Sequence, residues 1–75
     1  MDIEFSKHAR QQLNVRSSIK EFMIIDALNN PDEVLASFKG RHIYRKKIRK
    51  ELVLEIVVVK EDNKIIVITE YFLES

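Results

Sequence analysis

The hydrophobic pattern of this chain changes period at Pro31. Before that point apolar residues recur three and four apart, the spacing of helices. Phe5, Ala9 and Leu13 share one helical face, and Ser6, just ahead of Lys7-His8-Ala9-Arg10, suits an N-cap that accepts a hydrogen bond from a free backbone N–H. This spacing predicts a helix over 6–15. The segment Asn14-Val15-Arg16-Ser17 interrupts it. Ser18 with Glu21 three residues on has the form of a capping box, and predicts a second helix over 18–29. Phe22, Ile25 and Leu28 fall on one side of it, with Met23, Ile24 and Ala27 beside them, a stripe broad enough to press into a core. Asn29-Asn30-Pro31 stops the helix, because proline disfavours helical geometry at the residue before it.

After Pro31 the period is two. Val34, Ala36 and Phe38 alternate, and Lys39-Gly40 marks a turn. Strands are predicted over 33–38, 41–48, 51–60 and 64–73, with turns near Arg49-Lys50 and Glu61-Asp62-Asn63-Lys64. Short connections favour antiparallel pairing, and Asp2–Phe5 is a candidate short strand ahead of them. The expected fold is α+β, a single domain over 1–75 with two N-terminal helices packed on one face of a four-stranded antiparallel sheet. Phe5, Leu13, Phe22, Ile25, Leu28 and alternate residues of 52–60 are its expected core. Strands 52–60 and 64–73 are apolar at both parities, so they are expected at the centre. Sheet curvature or a second chain must then shield the other face, and a homodimer is one expectation.

Composition narrows the class. Of 75 residues, 45% are hydrophobic and 33% charged, with one Gly and one Pro, which is too apolar for disorder and too poor in turn residues for a loop-rich scaffold. There is no Cys, which removes disulfides and thiolate zinc sites and fits a reducing compartment. The N-terminal residues lack the apolar centre of a signal peptide, and no apolar run approaches the length of a membrane span. A cytoplasmic protein with no membrane contact is expected. Two His without metal spacing and a single Gly offer neither a metal site nor a phosphate loop, so no cofactor is expected.

Charge changes the picture most. Residues 41–50, RHIYRKKIRK, hold six of the 13 Lys+Arg and no acid, leaving seven basic against twelve acidic residues elsewhere. A period of two sends Arg41, Arg45, Lys47 and Arg49 to the face the helices leave bare, with Tyr44 and Ile48 on the core side. Protecting a sheet edge takes only one or two charges. Six of one sign invite a polyanion, most naturally a nucleic-acid backbone.

Metal-free cleavage of RNA needs a base for the 2′-hydroxyl, cations for the phosphorane and a proton donor for the leaving oxygen. His8, Arg41, Arg45 and Tyr71 are the candidate catalytic residues. Arg16, Tyr44, Lys47, Arg49 and Thr69 are the candidate RNA-binding residues around them. Each also has an ordinary reading. His8 suits a solvated helix, Arg16 a helix C-terminus, and Thr69 and Tyr71 are residues that strands favour.

Taken in order, His8-Ala9, Arg16, Pro31, Arg41, Tyr44-Arg45 and Thr69-x-Tyr71 resemble the domain-of-unknown-function family 4258, over about residues 3–72. That family is similar to the RelE/ParE/BrnT toxin superfamily. The resemblance implies a RelE-like fold and a toxin-type RNA-binding protein, a candidate metal-free endoribonuclease held inactive by a cognate antitoxin. Glu70 stands where that family usually carries an apolar residue. Two other readings remain open: a non-catalytic module that binds an acidic protein partner, and a structural homodimer.

Overall fold

A computed structural model of the chain describes residues 2–15 and 18–74. In chain order the elements are β1 (Asp2–Phe5), α1 (Lys7–Val15), α2 (Glu21–Asn29), β2 (Glu33–Ala36), β3 (Arg41–Arg49), β4 (Leu52–Glu61) and β5 (Lys64–Glu74). The strands form one sheet in the order β1-β5-β4-β3-β2. This corrects the expected four-stranded antiparallel sheet. The sheet has five strands and is mixed, because Asp2–Phe5 pairs in parallel with 64–67 of β5. Short connections make successive strands antiparallel, but β1 is separated from its partner by the whole chain. No hairpin rule constrains its direction.

Alternation along the central strands builds the core. Leu54, Ile56 and Val58 of β4 and Ile65 and Val67 of β5 are buried on one face, with Tyr44 of β3. Ala9 of α1 and Ile24, Ala27 and Leu28 of α2 complete the same cluster, flanked by Ile3, Phe5, Leu13, Met23 and Phe72. Ser6 caps α1: its hydroxyl accepts from the Ala9 N–H at 3.1 Å, and its carbonyl accepts from Arg10 at 3.0 Å.

Three local expectations need correction. Helix α2 begins at Glu21, not Ser18; the carbonyl of Lys20 accepts from the Met23 N–H at 3.0 Å. The Glu21 carboxylate turns to Arg10 of α1, 3.1 Å away, and so ties the helices together rather than closing a capping box. Phe22 (71% exposed) and Ile25 (37%) lie outside the core. Both rows of α2 are apolar; Leu28 is buried as expected, and Ile24 and Ala27 are buried in place of Phe22 and Ile25. Finally, β2 stops at Ala36, and Phe38 is exposed in the following turn. Lys39 and Gly40 both adopt positive φ there (63° and 71°), in a turn closed by the Ser37 N–H donating to the Arg41 carbonyl at 2.8 Å.

Two bulges set which side chains face outward. In β5 the partner of Val57 is Thr69 while that of Val58 is Val67, so Ile68 is an extra residue. The Ile68 carbonyl accepts from the Ser6 hydroxyl at 3.1 Å, which pins the bulge to the start of α1. Past it the parity flips. Ile65 and Val67 face the core before the bulge, whereas Glu70 is buried after it and Thr69 and Tyr71 are turned to the other face. In β3 the shift between Lys47 and Arg49 makes Ile48 the extra residue, and Ile48 is 39% exposed.

Candidate functional site

The bare face of the sheet carries one polar row across four strands. Cross-strand register aligns Glu33 of β2, Arg45 of β3, Glu55 of β4 and Tyr71 of β5. Arg45 Nε donates to Glu55 Oε1 at 2.6 Å, and Arg45 Nη1 donates to Glu33 Oε1 at 3.1 Å. The Tyr71 hydroxyl donates to Glu55 Oε2. The carboxylate of Glu55 is therefore gripped from both sides, with the residue only 5% exposed.

Electrostatics follow from this contact set. Hydrogen bonding to Glu55, then to Glu33, raises the Arg45 guanidinium pKa above its usual value. The Tyr71 phenol is pushed up from 10.0 to about 12, first by its hydrogen bond to the Glu55 carboxylate and then by burial. At neutral pH Tyr71 is thus a fixed hydrogen-bond donor.

The adjoining rows give the row its surroundings. On one side lies an apolar row, Leu35, Ile43 and Val57, ending at Thr69. The Thr69 hydroxyl donates to the side-chain oxygen of Gln12 on α1. On the other side Lys47, Val53 and Leu73 line a depression of about 320 Å³ together with Asp32, Glu33 and Arg45.

The structure brings Arg45 and Tyr71 together through Glu55. Lys47 lies further along β3, exposed on the bare face, and Arg41 is at the opposite end, about 13 Å from Arg45 at four strand residues. Arg49, expected on the bare face, is instead turned to the helix side by the bulge at Ile48: it pairs with Leu52 and lines a hollow with Met23 and Phe72. None of these three forms an ion pair among the described residues. Tyr44 is on the core face, with the Lys60 ammonium 5.4 Å from its ring centroid. His8 is exposed on α1, one turn before Gln12 on the same helix face, and lines a separate hollow with Gln11, Gln12 and Val15. Arg16 lies outside the described residues. No group of three or more potential metal ligands occurs among the described residues.

Glu55 and Glu33 escaped the sequence reading. Glu55 did carry a signal, as the one acid inside Leu52–Val59, since a charge in a central strand must be buried with a partner. Glu33 carried none, because its role depends on the β2–β3 register. Comparison with protein-family models, with curated proteins and with solved structures finds no match for the chain.

Proposed function

We propose that the chain is a toxin-type RNA-binding protein that cleaves phosphodiesters without metal, with Glu55 at the centre of its site. The observation that carries this reading is the Glu55 carboxylate, held between a guanidinium and a phenol on the bare sheet face, with Arg41 and Lys47 on the neighbouring strand β3 in no ion pair among the described residues. A buried carboxylate on a sheet of a small domain is costly to keep for stability alone, which favours a functional use.

In this mechanism Glu55 takes the proton of the 2′-hydroxyl as the 2′-oxygen attacks phosphorus. Two lone pairs of the carboxylate remain beyond those used by Arg45 and Tyr71. Arg45 neutralises the charge that builds on the phosphorane, and Tyr71 keeps the carboxylate oriented. The P–O5′ bond breaks, and the leaving oxygen takes a proton from water. Lys47 and Arg41 hold the flanking phosphates. The resemblance to family 4258 and the RelE/ParE/BrnT toxins supports the same assignment, and with it a cytoplasmic setting and an acidic antitoxin segment laid over these cations.

The test is cleavage of single-stranded RNA in the presence of a chelator. Wild type should yield 2′,3′-cyclic phosphate ends, and Glu55→Gln should slow cleavage about 100-fold or more, the usual contribution of a general base. Failure of the wild type to cut any RNA, or an unimpaired Glu55→Gln variant, removes the catalytic claim.

One observation favours a second reading. Arg45 is neutralised from both sides, by Glu33 and Glu55. A module that binds RNA or an acidic peptide only through Arg41 and Lys47 needs nothing from that row. It predicts salt-sensitive binding that Glu55→Gln leaves intact.

A further inference from the structure

Arg45 meets two carboxylates that are not equivalent. Glu55 is buried, its side chain 6% exposed, and also accepts from Tyr71. Glu33 is half exposed, at 51%, and opens the four-residue edge strand β2. Recognition of a phosphate by arginine is strongest when two neighbouring N–H groups bind it together. Glu55 is bonded at Nε and Glu33 at Nη1, so a carboxylate already stands on each side of the guanidinium. Of the two, the exposed Glu33 is the one that can leave, and its departure opens Nη1 with Nη2 to an anion while buried Glu55 keeps Nε.

Glu33 is also held in register with the basic strand. The neighbouring Asp32 accepts the Lys47 N–H at Oδ2, 2.7 Å away, and its own N–H donates to the Arg45 carbonyl at 2.8 Å. Pro31 stands immediately before this acidic pair. The carboxylate of Glu33 is thereby presented to Arg45 by the backbone, which distinguishes it from a chance encounter of two long side chains.

We infer that Glu33 is an internal counter-ion that stands in the phosphate position on Arg45, and that the anionic ligand must displace it. Glu33 is a positioning residue that sets the affinity and the salt response of the site. The inference rests on the RNA reading above. Displacement has a signature in the salt dependence. A phosphate that replaces Glu33 leaves that carboxylate to gather a cation from solution, which cancels part of the counterion release that binding otherwise produces.

The experiment measures binding of a labelled mixed-sequence single-stranded RNA by fluorescence anisotropy over a salt series. Glu33→Gln should tighten binding about two- to five-fold, the range for losing one exposed ion-pair competitor, and steepen the log–log salt slope by about one unit. Glu61→Gln, the same charge change at the far end of β4, controls for net charge. In an Arg45→Ala background Glu33→Gln should have no effect, because Glu33 acts only through that guanidinium. Equal effects of Glu33→Gln and Glu61→Gln, or an unchanged Glu33 effect without Arg45, overturn the inference while leaving RNA binding standing. Binding by Glu33→Gln alone supports it, as a wild type blocked by its own carboxylate. RNA binding by neither protein overturns this inference and the functional reading together.

Discussion

At the scale of single residues, Tyr71 shows how the site is wired. Its phenol is neutral and donating because ionisation would set a phenolate against the Glu55 carboxylate. The folded-state pKa of about 12 lies above the unfolded 10.0, so the native state holds the proton more tightly. That contribution to stability is complete below pH 10 and is lost as pH rises toward 12. Urea unfolding from pH 9 to 12 should therefore show a steeper decline for wild type than for Tyr71→Phe. The absorbance difference between the two proteins should titrate near pH 12. A phenol that titrates near 10 would mean that the Tyr71–Glu55 bond is absent in solution. Little of this was legible beforehand. The basic residues announced themselves by number, but a guanidinium acquires its function from what lies across the sheet, and register is not a property of one strand.

At the scale of elements, the departures from pattern arise where two arrangements satisfy the same hydrophobic count. Strand 64–73 looked apolar at both parities because the bulge at Ile68 exchanges its two faces halfway along. Without that extra residue Tyr71 would point into the core and Glu70 to the bare face. Helix α2 offers the same ambiguity, with two apolar rows, and the contact with the sheet chose the row around Ala27. Cap and turn chemistry was readable, as Ser6 and the Lys39-Gly40 hairpin show. That hairpin also carries a removable cost. Lys39 sits at φ 63°, a conformation in which a Cβ is crowded and which Asn tolerates better. Lys39→Asn should raise stability by about 0.3–1 kcal/mol, read from the shift in the urea midpoint at constant m.

At the scale of the whole molecule, 75 residues leave a small margin. Typical stability per residue gives a total of roughly 4–11 kcal/mol. Ile56 is fully buried at the centre of β4, between Tyr44 and Glu70 on its neighbours. Truncating such a side chain costs about 2–5 kcal/mol, so Ile56→Ala should remove a large share of the total and lower the thermal midpoint steeply in calorimetry. Among the described residues no helix is long and apolar enough to cross a membrane.

The sheet order has a consequence for how such a chain is made. The first strand lies beside the last, joined by four parallel pairs and by the Lys64–Glu4 ion pair at 3.5 Å, and Ser6 at the head of α1 bonds to Val67 and Ile68. A ribosome delivers β1, both helices and three strands before it delivers the partner that β1 requires. Until residues 64–74 are synthesised, the inner side of β4 lacks its neighbour and the phenol that orients Glu55 does not exist. The nascent chain is therefore unable to close this sheet, and the row from Glu33 to Tyr71 is incomplete, until residues 64–74 have been synthesised.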